Sequence, residues 1–106
     1  MTEPQRRKKG LLLVMIDIEP EYEEEFNRWY REEHFPERMN CPGILTGRRF
    51  IALEGGPKYL ALYDLESPEV LDSPDYQKIA GPSEWTKELL PHFVNRVRNV
   101  YVEIEP

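Results

Sequence analysis

The segment from Leu11 to Ile18 is apolar on both alternating sets of positions. That is the pattern of a strand covered on two sides, whereas a half-exposed strand alternates apolar with polar. Pro20 then suits the first turn of a helix. Glu21, Glu23, Glu24 and Glu25 complement the positive end of its dipole, and Arg28 and Arg31 lie toward the negative end. The apolar positions of this helix, Tyr22, Phe26, Trp29 and Tyr30, fall on one stripe, and His34 extends it by a turn. His34 therefore faces the core or a cavity. Pro36 disfavours helical geometry at Phe35, so the regular helix is expected to end or bend at His34.

Cys41-Pro42-Gly43 reads as a turn, Ile44 to Leu53 as a second strand, and Glu54-Gly55-Gly56-Pro57 as a hairpin loop. Lys58 to Leu65 is again apolar on both faces and predicts a central strand. Ser67-Pro68 and Ser73-Pro74 are helix starts, with Ser67 expected to cap the first. Gly81-Pro82 breaks the second, and Ser83 to Leu90 gives one more short helix. Phe93 to Ile104 closes the chain as a long strand. Strict alternation puts Val94, Arg96, Arg98, Val100, Val102 and Ile104 on one side and Phe93, Val97 and Tyr101 on the other.

The resulting order, β-α-β-β-α-β, predicts an α+β, ferredoxin-like domain: a four-stranded antiparallel sheet with helices on one face. One domain covers residues 10–106, preceded by a basic tail over residues 1–9 that contains Arg6-Arg7-Lys8-Lys9. The first and third strands are too apolar for their second face to meet water. A two-fold homodimer joined through the sheet faces, a dimeric α+β barrel, is the economical way to bury it.

Composition narrows the partners. Of 106 residues, 14 are Lys or Arg and 20 are Asp or Glu, giving a formal charge of -6. Nucleic-acid binding, which needs clustered positive surface, is not expected. Leu11 to Ile16 is far shorter than the ~20 apolar residues of a membrane helix, so no membrane partner is expected either. Cys41 is the only cysteine, which rules out an intrachain disulfide and suits a reducing, cytoplasmic setting. No zinc, haem-attachment, P-loop, dinucleotide or serine-hydrolase spacing occurs.

The segment Trp29-Tyr30-Arg31-Glu32-Glu33-His34-Phe35-Pro36-Glu37-Arg38 resembles the Trp-Tyr-x-x-Glu-His-x-Pro-Glu segment of EthD-like and related proteins of the dimeric α+β barrel superfamily. The Pro42-Gly43 turn, Gly47-Arg48-Arg49-Phe50 and Tyr59 to Asp64 extend the resemblance over nearly the whole chain after residue 10. The resemblance implies small hydrophobic ligands held between helices and sheet. It does not choose among cofactor-independent monooxygenase, isomerase, cyclase, decarboxylase, haem-degrading and non-catalytic stress-associated relatives, and no cofactor is expected.

His34 is the candidate catalytic residue, a proton donor or acceptor on the inward stripe; the alternative is a structural histidine hydrogen-bonded across the helix end. Glu33 and Glu37 flank it as carboxylate partners or as solvated surface acids. Tyr30, Tyr59, Tyr63 and Trp85 are candidate substrate contacts, Tyr59 and Tyr63 sharing one strand face. Arg48 and Arg49 point to opposite faces, so only one enters a pocket; Arg48 is the candidate anchor, with the choice between them open. The face of Arg96 is not fixed by the sequence. Cys41 reads as a small packing residue and His92 as a histidine at the start of the last strand. No metal is expected, since Pro36 interrupts the register that would align His34, Glu37 and Cys41. The leading function is a cofactor-independent enzyme acting through His34 on a small aromatic or polyketide-like molecule. A non-catalytic dimeric binding protein competes with it, and haem binding, with His34 as the sole iron ligand, is weaker.

Overall fold

A computed structural model describes residues 8–106. Its strands are β1 (Gly10–Ile18), β2 (Ile44–Ile51), β3 (Tyr59–Leu65) and β4 (Phe93–Val102). They form one antiparallel sheet in the order β2-β3-β1-β4. Between β1 and β2 run α1 (Glu23–Trp29) and α2 (Phe35–Met39); between β3 and β4 run α3 (Pro74–Ala80) and α4 (Glu84–Leu89). This is the expected ferredoxin-like α+β arrangement, with the two apolar strands β1 and β3 at the sheet centre. Most of the expected basic tail lies outside the described residues. No helix among those described is long and apolar enough to cross a membrane.

Along β1 the residues Leu12, Val14, Ile16 and Ile18 are buried under the helices, and Leu11, Leu13 and Met15 between them are half-buried on the opposite face. Period-two alternation therefore sorts the strand into two faces, both apolar. On the helix side Phe26, Trp29, Tyr30, Ala61, Tyr63, Leu65, Tyr76 and Leu89 complete the core. Each large side chain fully buried there contributes on the order of 2 kcal/mol by leaving water. On the outer face Leu13 pairs with Leu62 and Met15 with Leu60 and Val97, and Phe50 of β2 stands beside Leu60. The described residues place no helix over this face.

The first correction concerns the end expected at Pro36. Of the two outcomes expected at His34, an end or a bend of the regular helix, the end does not occur: the α-helical ladder gives way to a π-helical turn, Tyr30–His34, and the helix then runs on to Met39. In that turn the Phe35 N–H reaches back five residues to the Tyr30 carbonyl. Proline lacks an N–H and crowds the carbonyl four residues back; one surplus residue widens the ladder at that point and lets the helix pass. Gly47 lets the continued helix sit close on β2. A Cβ there would lie 2.7 Å from Met39 Sδ and 3.0 Å from the Phe35 ring.

The second correction concerns β4. Asp17 pairs with Asn95 but Ile18 pairs with Phe93, so a bulge at Val94 shifts the alternation. Phe93 therefore shares the helix-side face with Arg96, Arg98 and Val100, which pair with Ile16, Val14 and Leu12. Smaller differences follow from local hydrogen bonding. β2 ends at Ile51, where the Ala52 N–H closes the loop on the Lys58 carbonyl at 2.8 Å. Ser73 and Ser83 cap α3 and α4 through their side chains, but the Ser67 hydroxyl caps nothing; it is buried without a partner.

Candidate functional site

Between the helices and the helix-side face of the sheet lies a cavity of about 750 Å³. Its floor is Leu12, Val14 and Ile16 of β1, Tyr63 of β3, and Phe93, Arg96, Arg98 and Val100 of β4. One wall is Trp29, Tyr30, His34, Glu37 and Arg38 from the helical run that contains the π turn. The other comes from the second helical region, with Leu71, Tyr76, Ile79 and Thr86 among its residues. The volume falls in the range of small-molecule sites, and the lining is aromatic and aliphatic with a few charged groups.

The π turn brings His34 onto the wall. Its ring stacks on Trp29, with centroids 4.2 Å apart and planes 27° apart, and meets Tyr30 edge-on at 5.0 Å. No hydrogen bond reaches the imidazole among the described residues, so the expected alternative, a histidine tied to backbone across a helix end, is not what the structure holds. Desolvation, with the charges of Arg38, Arg96 and Arg49 behind it, lowers its pKa to about 2. The ring is thus neutral at pH 7, with one nitrogen free to donate and the other to accept. Tyr63 is 1 % exposed and its hydroxyl has no partner. Burial pushes that phenol well above the usual tyrosine range.

Other candidates sit elsewhere. Arg48 is on the outer sheet face, exposed and 3.9 Å from Asp64, so it is not the inward arginine of the pair. Arg49 points to the helix side, its guanidinium 4.1 Å over the Tyr30 ring and donating to Asn27 Oδ1 at 2.9 Å. It backs the cavity wall and does not line the cavity. Tyr59 shares a strand face with Tyr63 but not its surroundings. Its hydroxyl donates to the Glu23 carboxylate and accepts from Asn27 Nδ2 at 3.1 Å. The four-residue separation, ~13 Å along a strand, puts the two phenols at opposite ends of the helix layer. Trp85 lies on the α1–α4 seam, its indole donating to Glu25 at 2.9 Å with Arg28 over the ring at 4.8 Å. Of the expected contacts, Tyr30 and Tyr63 line the cavity with His34, and Tyr30 touches the imidazole.

The flanking acids divide. Glu33 accepts through Oε2 from the Trp29 indole at 3.2 Å and from Ser83, which fastens α4 to the first helical run, and it makes no hydrogen bond to His34. Glu37 stays at the cavity and meets Arg38 at 3.4 Å; desolvation raises its pKa. Cys41 is buried in the core, with Sγ directed at the Pro42 carbonyl. No group of three or more His, Cys, Asp or Glu side chains converges as a metal site among the described residues. His92 does sit at the start of β4, stacked on Tyr22 at 3.6 Å with Nδ1 2.6 Å from Glu19.

Among the cavity residues that sequence reading missed are Arg98 and two buried ones, Arg38 and Tyr76. A helix taken to end at His34 hides Arg38. Allowing the helix to continue would have placed it one turn on, in line with Tyr30 and His34.

A family model described as a domain of unknown function, DUF4286, matches residues 10–104. None of the curated proteins matches the chain. Among solved structures, a dimeric ferredoxin-like protein from an uncultured marine organism is similar at TM-score 0.71 and 16 % identity, covering 95 % of this chain and 92 % of its own. A putative antibiotic biosynthesis monooxygenase from Nitrosomonas europaea is similar at TM-score 0.65 and 11 % identity, with 94 % of each chain covered. The heme-degrader of Mycobacterium tuberculosis, solved with two hemes in its active site, is similar at TM-score 0.60 and 18 % identity, with 92 % and 97 % covered. At such identities the likeness is one of fold. The EthD-like subgroup suggested by the Trp29 to Arg38 segment is not the family that the model matches.

Proposed function

The chain belongs to the DUF4286 family, and from that premise we propose that it binds a small aromatic or polyketide-like molecule in the cavity between helices and sheet. The single observation that carries this reading is the neutral, unbonded His34 imidazole on the wall of a ligand-sized aromatic cavity. In the same cavity the Tyr63 hydroxyl is buried without a partner, which is costly, and a ligand that supplies the partner recovers that cost. The neighbouring folds described as a monooxygenase and a heme-degrader are compatible with the reading. We further propose that two copies join through the outer sheet face, where no helix among the described residues covers Leu13, Met15, Leu60 and Leu62. Light scattering on Leu62→Asp is expected to report a smaller particle than wild type.

Chemistry in this site would begin with His34 taking a proton from the ligand, Tyr63 holding the developing oxyanion. A second reading, binding without turnover, is favoured by the depressed imidazole pKa. A general base works best when its pKa lies near the working pH, and about 2 is far below it.

Two-dimensional NMR of the protein against a library of aromatic small molecules tests the reading. Shifts are expected at the Trp29 indole, His34 and Tyr63. Shifts confined to the outer face, or none, would refute it. Where turnover of a bound compound is found, His34→Gln is expected to keep binding and lose turnover; equal rates would leave only the binding function.

A further inference from the structure

We propose that the cavity selects organic acids, an aromatic or apolar body carrying one carboxylate, and that Arg96 and Arg98 of β4, with Arg38 opposite, receive the anion. This rests on the reading that the cavity holds a small molecule and names the class of that molecule.

The charge inventory of the lining is lopsided. Three guanidinium groups, Arg38, Arg96 and Arg98, face the cavity with two carboxylates, Glu37 and Asp72. The one ion pair among these five is Arg38 with Glu37, at 3.4 Å. Arg96 and Arg98 meet no acceptor among the described residues. In a chain of net charge -6, with 20 acids to 14 Lys and Arg, two cations side by side without an acid are placed against the composition. A strand whose only task was to cover the core would not need them.

Their setting fits a carboxylate better than a loose counter-ion. Arg96 and Arg98 stand opposite Ile16 and Val14, on the same face as Phe93 and Val100, so the floor around them is apolar. A guanidinium binds a carboxylate through two parallel N–H···O bonds, and the apolar surface beside it takes the body of the same molecule. An attached apolar body then lies toward Trp29, Tyr30 and Tyr63. Arg38, Arg96 and His34 all line this one cavity, so the acid shares its space with the imidazole. Tyr63 supplies one more donor at the buried end.

The test uses the full chain, titrated calorimetrically and by NMR with 1-naphthoate and 2-naphthoate and with the matching uncharged amides. The acids are expected to bind at least about tenfold more tightly than the amides, the value of a charge-assisted hydrogen bond. Arg96→Gln and Arg98→Gln, at exposed positions that leave the core intact, are expected to erase most of that preference. Arg48→Gln on the outer face is expected to keep it. Acids and amides binding equally, with shifts at Trp29 and Tyr63, would overturn the acid preference while leaving the cavity reading standing. If neither set shifts Trp29 or Tyr63, both fall. An acid preference that survives Arg96→Gln and Arg98→Gln would place the anion elsewhere and overturn the assignment.

Discussion

At the N-terminal end of α1 the polar groups between helix and sheet are tied into one network, and at the C-terminal end, at the close of the π turn, His34 and the Tyr63 hydroxyl meet no hydrogen-bond partner among the described residues. Glu23, Asn27, Lys58, Tyr59 and Arg49 form one continuous network at the first end. At the second, His34 and Tyr63 stand with unmet hydrogen-bonding capacity beside open space. Both ends use the same residue types, in particular a tyrosine of β3 under the same helix. The difference lies in closure: a saturated polar layer acts as a clamp, and an unsaturated one costs stability that a ligand can restore.

Phe26 sits between the two ends, its ring 5.2 Å from Tyr30 and 5.3 Å from Tyr59. Phe26→Ala should break the comparison altogether, lowering unfolding free energy by about 3–5 kcal/mol in urea titration and disturbing clamp and cavity together. Acidification separates them. An unfolded histidine takes up a proton below about pH 6.5, but folded His34 does so only near 2. Its stabilising effect is therefore complete above pH 6.5 and is lost as pH falls from there, by at most about 1.4 kcal/mol per pH unit. Glu23 is held below 4.5 by hydrogen bonds from Lys58 and then Tyr59, so its contribution persists above 4.5 and is lost below it. Stability measured between pH 6.5 and 5 should thus fall in wild type and flatten in His34→Asn, and any loss of the clamp should wait for lower pH.

The two tyrosines give the sharpest contrast. Tyr59→Phe removes a hydroxyl with two partners and should cost about 1–2 kcal/mol. Tyr63→Phe removes a hydroxyl with none and should change stability by less than about 0.5 kcal/mol, or raise it. If Tyr63→Phe proves the more destabilising of the two, the cavity end is as closed as the clamp, and its vacancy no longer argues for a ligand.

Much of this arrangement was legible in the residues. The doubly apolar run of β3 marks a central strand and the stripe of Phe26, Trp29, Tyr30 and His34 marks the helix side, whereas Tyr22, expected on that stripe, stands exposed in the turn before α1. What escaped were matters of phase. Period two cannot say which member of the Arg48-Arg49 doublet faces inward; the pairing of Arg49 with buried Ala61 decides it. Alternation along β4 was reversed by a bulge at Val94 that no glycine or proline announces. Arg38 was hidden by the ordinary rule that proline ends a helix, and a tertiary contact overrode that rule: Phe35 and Met39 packed on Gly47.

One consequence of the π turn concerns insertion and deletion. A residue in an α-helix accounts for about 100° of rotation. Deleting one position between Tyr30 and His34 would let a regular ladder run up to Pro36 and turn everything beyond it by that angle. Arg38 would swing off the cavity and Met39 off Gly47, though no side chain of either had been altered. The cationic wall and the seat of α2 on β2 are thus set by chain length at one place, and a shortened variant would lose both in a single event that point substitutions would not reproduce.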